Sequence, residues 1–255
     1  MDVSIKQREI KDGAPLAYIG PDLQEGPLPG IVYLALSKEE SLLTPPFNRP
    51  ALKLKDAPLR LFSVTLPFHG NGLDPVKAIP KWAEEFQEGK DILEPFLREA
   101  SHSLKFLLRE GFVTKLGAIG LSRGALIAAH LAAKIPDISH IVGFAPLTQL
   151  SAVSDFSPIR TSYLVKQYDM ENLIPSIYNR SIRFYIGNYD RRVGTEKAFA
   201  FIHSLAKYAY DQRLRSVPIE LYIRPSIGYQ GHGTGEHTFD EGTEWLKEQL
   251  LLQLP

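Results

Sequence analysis

Residues 120–124 read G-L-S-R-G, after the apolar run L-G-A-I at 116–119 and before the alanine-rich run A-L-I-A-A-H at 125–130. A serine held between two glycines at this spacing fits a sharp strand-to-helix turn. Gly120 and Gly124 carry no Cβ to crowd the central residue. Ser122 can then adopt a strained conformation that presents its Oγ outward. The helix that follows starts with small residues, Ala125, Ala128, Ala129 and Ala132, which allow close packing on a sheet. Its N-terminus also directs backbone N–H groups toward the same space. The bare pattern should arise by chance about 0.1 times in a chain this long. The strand before it and the helix after it make Ser122 a candidate nucleophile.

A serine hydroxyl is a weak nucleophile until a base takes its proton, and the base must be oriented by an acid. Asp190 follows the apolar run R-F-Y-I-G-N and precedes a helical pattern. His232 lies in the glycine-rich stretch G-Y-Q-G-H-G-T, after the run I-E-L-Y-I-R-P. Taken alone, Asp190 reads as a turn acid or helix cap and His232 as a loop histidine. Their joint placement after strand ends selects them as acid and base. His237, five residues on and at the start of the last helix, is the rival base. Asp169 and Glu171 are rival acids, but they precede a strand instead of following it. His69 is read as structural, and His130 and His203, on helices, receive no role.

The elements that must position these residues are legible as patterns. V-S-I-K-Q-R-E-I (3–10) alternates with period two, as a half-exposed strand does, and 15–20 can pair with it as a hairpin. The runs at 30–36, 59–67, 116–122, 140–146, 182–188 and 219–225 are continuously apolar, which suits strands buried on both faces. Helices are expected at 78–89, 91–109, 123–134, 194–210 and 239–252, with Pro95 tolerated in a first turn. This βαβα order predicts a mostly parallel eight-stranded sheet with helices on both faces, in one domain over 1–255. Ligands of such sheets bind outside the carboxyl ends of the strands, where Ser122, Asp190 and His232 all fall.

These residues carry a resemblance. The sequence resembles the α/β-hydrolase superfamily, and within it the esterases and peptidases of the dienelactone hydrolase and prolyl oligopeptidase groups. The resemblance rests on G-L-S-R-G at 120–124, I-G-N-Y-D-R-R-V at 186–193 and G-H-G-T at 231–234. V-T-L-P-F-H-G-N-G at 64–72 is similar to the L-P-G-H-G turn of many members. It implies the chain order serine, acid, histidine, and a serine hydrolase that cleaves a carboxylic ester through an acyl-enzyme without metal or cofactor. A small-molecule ester or short acyl or peptide substrate follows from it. A peptidase, an acyltransferase and a non-catalytic binding protein are the alternatives on the same fold. The segment 147–168 is too short for a large cap domain and is a candidate small lid.

Acyl transfer also needs N–H donors for the developing oxyanion. The first is the backbone N–H of Arg123, directly after the nucleophile. The resemblance places the second after the strand at 30–36, where many members carry His-Gly. Here Ala35 and Leu36 occupy those places, so Ser37 is the expected donor, with Leu36 behind it. The Arg123 side chain either binds an anionic substrate group or anchors neighbouring loops, and anchoring is favoured.

The bulk composition narrows the field. The 255-residue chain is long enough for a large core. Lys+Arg and Asp+Glu are both 29, a balance that favours neither nucleic acid nor an anionic membrane surface. With no cysteine, disulfides, thiolate nucleophiles and cysteine-ligated metals are excluded. The N-terminus has no apolar signal region and no stretch reaches 18 apolar residues, so a cytoplasmic protein is expected.

Overall fold

The computed structural model describes residues 4–70, 72–216 and 218–252. Eight strands form a single sheet: β1 (Lys6–Arg8), β2 (Leu16–Ile19), β3 (Leu28–Leu34), β4 (Arg60–Ser63), β5 (Val113–Leu121), β6 (Ile138–Phe144), β7 (Ser181–Gly187) and β8 (Ile219–Arg224). Their spatial order is β1-β2-β4-β3-β5-β6-β7-β8. The hairpin strands β1 and β2 run antiparallel, and every pairing from β4 to β8 is parallel. Strand β5, which leads into Ser122, sits mid-sheet between β3 and β6, in register Leu34↔Gly120 and Leu121↔Phe144.

The continuous apolar runs have the expected cause. Successive side chains of a strand point to opposite faces, and both faces of the inner strands are covered; the run expected at 219–225 differs, because β8 lies at the sheet edge and is only partly buried. Val32, Leu34, Phe62, Ala118 and Ile141 enter one core with α3 (Ala78–Gln87), α4 (Leu93–Arg109), α5 (Arg123–Lys134) and α8 (Thr195–Asp211). Their neighbours Ile31, Tyr33, Leu61, Ile119 and Val142 enter a second core with α1 (Lys38–Leu43), α2 (Arg49–Leu54) and α9 (Glu236–Leu251). Two short helices, α6 (Tyr163–Lys166) and α7 (Ile174–Ile177), lie between β6 and β7.

Three differences from the sequence expectations have local causes. The strand expected over 59–67 is helped by apolar residues throughout, but only Arg60–Ser63 pairs. Beyond it the chain leaves the sheet through T-L-P-F-H-G, with Phe68 at φ +60°. Helices α1 and α2 are not among the expected elements, since six residues each are too few for a periodic pattern. α1 is fixed by a capping box, in which Ser37 Oγ accepts from the Glu40 N–H at 3.2 Å while the Glu40 carboxylate faces the Ser37 N–H. The last helix starts three residues earlier than expected, at Glu236. Among the described residues no helix is long and apolar enough to cross a membrane.

Candidate active site

The turn at 120–124 is built as its glycines imply. Ser122 has φ +55° and ψ −117°, a conformation that costs a non-glycine residue of order 1–3 kcal/mol. It persists because the surroundings over-determine it. The Ser122 N–H donates to Phe144 O at 2.8 Å, and Ser122 O accepts from the N–H groups of Ala125 and Leu147. A Cβ on Gly120 would lie 2.3 Å from Ala125 Cα, so the strand can turn into α5 only with hydrogen at that position.

Asp190 leaves the carboxyl end of β7 in a turn that it organises itself. Its Oδ1 accepts from the N–H groups of Arg192 (2.9 Å) and Val193 (3.1 Å). Its own N–H donates to Thr195 Oγ1, which donates in turn to Gly187 O. The carboxylate is fully buried, and these bonds leave Oδ2 for one further donor. That donor is His232 Nδ1, at 2.7 Å. The His232 loop follows β8 and is shaped by Gly228 and Gly231, both at positive φ. A Cβ on Gly231 would meet Tyr189 O at 2.3 Å, so the acid loop and the histidine loop approach backbone to backbone. The Arg191 N–H to Gln230 O bond ties them together.

His232 Nε2 then lies 2.9 Å from Ser122 Oγ. Asp190 Oδ2 fixes the proton on Nδ1, which leaves the Nε2 lone pair facing the hydroxyl. Three side chains from three separate loops thus form one hydrogen-bonded line. The rivals lie elsewhere. His237 projects from the first turn of α9 with its side chain 90% exposed. Asp169 is occupied with the Ser151 N–H and Oγ, and Glu171 lies with it against a separate cleft. His130 donates to Tyr168 O inside the core, and His203 stacks on Phe199 at the surface.

Beside Ser122 opens a cavity of about 450 Å³. Leu36, Phe47, Val76, Leu121, Ile227 and Phe239 give it apolar walls, and Arg123 and Arg192 also line it. No carboxylate is among its lining residues. The walls supplied by Phe47 and Val76 were not read from sequence, because they come from loops whose position depends on α1, α2 and α3. The segment 147–168 lines no part of the cavity. Phe156 packs edge-on against Phe86 and the Tyr168 hydroxyl donates to Asp91, so this segment lies on the α3–α5 flank.

The expected second oxyanion donor requires correction. The Ser37 N–H faces the Glu40 carboxylate at 3.3 Å, within the cap of α1. The alternative, the Leu36 N–H, donates to Ser41 Oγ at 2.9 Å. Both are engaged with α1, because a helix starting this close to β3 draws on the polar groups of the turn to cap itself. The Arg123 N–H differs. It is the first of α5, where no intrahelical acceptor exists. The Arg123 side chain is an anchor, with Nε donating to His69 Nε2 at 3.1 Å and Nη2 to Pro75 O at 2.9 Å.

No protein-family model matches the chain, and no curated protein matches it in sequence. Solved structures do. TT1662 from Thermus thermophilus superposes with TM-score 0.71 at 17% identity, over 98% of this chain and 99% of that one. A Pyrococcus furiosus esterase matches with TM-score 0.63 at 17% identity, over 97% and 92%. A prolyl endopeptidase matches with TM-score 0.65 at 16% identity, over 99% of this chain but only 39% of its own length. The chain therefore spans well under half of that peptidase. At these identities the likeness is one of fold: the chain has the α/β-hydrolase fold, without a large cap domain.

Proposed function

We propose that this protein is a serine hydrolase that cleaves a carboxylic ester, or a related acyl bond, through an acyl-enzyme. The observation that carries this reading is the unbroken line Ser122–His232–Asp190, with contacts of 2.9 and 2.7 Å. Ser122 Oγ attacks the acyl carbon as its proton passes to His232 Nε2. The carbonyl oxygen becomes an oxyanion that accepts from the Arg123 N–H. Asp190 holds the ring and stabilises the imidazolium without taking the proton. The tetrahedral adduct collapses, the bond to the leaving group breaks, and the leaving group takes the proton from Nε2. Water then attacks the acyl-enzyme, giving its proton to Nε2, and Ser122 departs with that proton restored.

The apolar walls and modest volume of the cavity favour a small or medium apolar acyl group. The fold neighbours include esterases and a peptidase. The ester reading is preferred because the cavity beside Ser122 is walled mainly by apolar side chains. The engaged N–H groups of Leu36 and Ser37 favour a second reading, a non-catalytic binding protein of the same fold.

One experiment separates them. A fluorophosphonate probe should label the wild type and not Ser122→Ala, and p-nitrophenyl butyrate should be hydrolysed by the wild type alone. A folded wild type that neither labels nor hydrolyses would overturn the hydrolase reading and favour the binding-protein one.

A further inference from the structure

Among the described residues, Arg123 is a buried cation with no counterion. It is only 9% exposed. Its side-chain partners are a ring nitrogen and a carbonyl oxygen, and among the described residues it makes no ion pair. Burial draws its pKa down to about 10, which still leaves it charged at neutral pH. Arg192, on the same cavity wall, adds a second positive charge. An unpaired buried charge is costly, and here it sits on the residue next to the nucleophile.

The acceptor is built to leave that charge uncancelled. His69 Nδ1 lies 2.9 Å from Pro67 O, a carbonyl that also accepts from Trp82 Nε1 at 3.0 Å. Nδ1 must therefore carry the proton, so Nε2 offers a lone pair to the Arg123 Nε–H. Burial, and then the guanidinium itself, hold the His69 pKa down at about 4, so the ring is neutral. The charged groups around His69 do not replace it as a counterion. Glu40 keeps its charge in the Ser37 cap and acts on His69, but only burial and Arg192 bear on the Arg123 guanidinium. Lys38, Glu39 and Glu99 line the cleft on the other side of His69, where Lys38 pairs with Glu39 at 3.0 Å. Meanwhile the Leu36 and Ser37 N–H groups are both taken by α1, so the oxyanion has one backbone donor where this chemistry ordinarily uses two.

We infer that the Arg123 guanidinium, held by a neutral His69, supplies the positive field that stabilises the oxyanion in place of a second N–H donor. This rests on the serine hydrolase reading above. His69 is then a positioning residue whose neutrality is as important as its hydrogen bond. A fixed charge of this kind acts on the charged transition state more than on the neutral ground state.

The test separates hydrogen bonding from charge. His69→Asn keeps a neutral acceptor for Arg123, whereas His69→Asp keeps an acceptor and adds a counter-charge. With p-nitrophenyl butyrate, His69→Asp should lose about 10- to 100-fold in kcat relative to His69→Asn, with KM within about twofold. Its Tm should be no lower than that of His69→Asn. Arg123→Lys and Arg123→Met provide a second pair should either His69 variant fail to fold, and Lys should exceed Met in kcat by about tenfold or more. Equal kcat within either pair of folded variants, with an active wild type, overturns this inference alone. A folded wild type that neither labels with fluorophosphonate nor hydrolyses the ester overturns the hydrolase reading and this inference with it.

Discussion

The backbone of Gly124 lies so close to Leu34 that a Cβ on Gly124 would sit 1.8 Å from the Leu34 carbonyl oxygen. This contact sets how near α5 comes to β3, and hence where the N-terminus of α5 stands relative to Ser122. Gly124→Ala cannot be absorbed by a rotamer change, because the opposing atom is backbone. The helix must move away from the sheet. A loss of about 3 kcal/mol in stability is expected, in the upper range of overpacking costs, together with loss of activity beyond what the unfolded fraction explains. Chemical denaturation alongside active-site titration with a fluorophosphonate would check this. A Gly124→Ala protein with wild-type stability would mean that the helix–strand approach is looser than the structure shows.

His130 gives a second expectation, in pH dependence. It is 6% exposed, and burial pushes its pKa down to about 4. In the unfolded chain the same ring titrates near 6.5. Above pH 6.5 both states hold it neutral and its contribution to stability is fully present. As pH falls from 6.5 to about 4, the unfolded state binds a proton that the native state refuses, so stability declines. The total loss is about 3 kcal/mol. His130→Gln retains an N–H for Tyr168 O and removes the titration. The urea midpoints of this variant, measured between pH 7 and 4.5, should fall less steeply than those of the wild type. Parallel slopes would assign the acid sensitivity to other groups.

Much of this was legible in the chain, for a physical reason. Gly120, Ser122 and Gly124 announce a turn because backbone crowding tolerates so few residue types there. Asp190 follows β7, whose burial on both faces makes it an apolar run, whereas His232 follows the edge strand β8, which is only partly buried. What was not legible depends on capping and on loops. Ser37 stands where a second donor is expected, but Ser37 with Glu40 is also a capping pair, and the helix won the N–H. His69 reads as structural from its position in L-P-F-H-G. Only the fold shows that the structure it supports is the Arg123 side chain, 54 residues away in sequence. The cavity walls at Phe47 and Val76 come from connections with no periodic signature.

Arg60 opens β4 as a fully buried guanidinium. Its donors reach the carbonyls of Pro21 (3.0 Å), Phe112 (2.6 Å), Gly26 (2.9 Å) and Asp22. This one side chain ties the turn after β2 to the entry of β5, where Asp22 O and Phe112 O also accept from the Glu25 and Leu28 N–H groups. Arg60→Leu would leave Pro21 O and Gly26 O beneath an apolar side chain, at about 1–3 kcal/mol for each that water cannot reach. A drop in Tm large enough to impair soluble expression is expected. The site itself is remote, so any folded fraction should keep its kcat per labelled active site. A lowered kcat in that fraction would instead connect the strand end to the chemistry.

The sharpest comparison is between the two histidines near the last helix. His232 is held between Asp190 Oδ2 and Ser122 Oγ, with its side chain 15% exposed. His237 is 3.9 Å from Glu241 on the outer face of α9. In the proposed reaction His232 is first base and then acid, so its removal eliminates proton transfer in both halves. His232→Ala should therefore lose about 10³-fold or more in kcat. His237→Ala removes an exposed contact of the kind that is worth little, and its kcat should stay within about twofold of wild type. Asp190→Asn provides a third point. It preserves volume, but its amide cannot hold the ring in the tautomer that leaves Nε2 free, so a loss of about 10⁴-fold is expected. If His237→Ala falls as far as His232→Ala, the 2.9 Å contact to Ser122 is not the catalytic one, and the base must be sought at the start of α9.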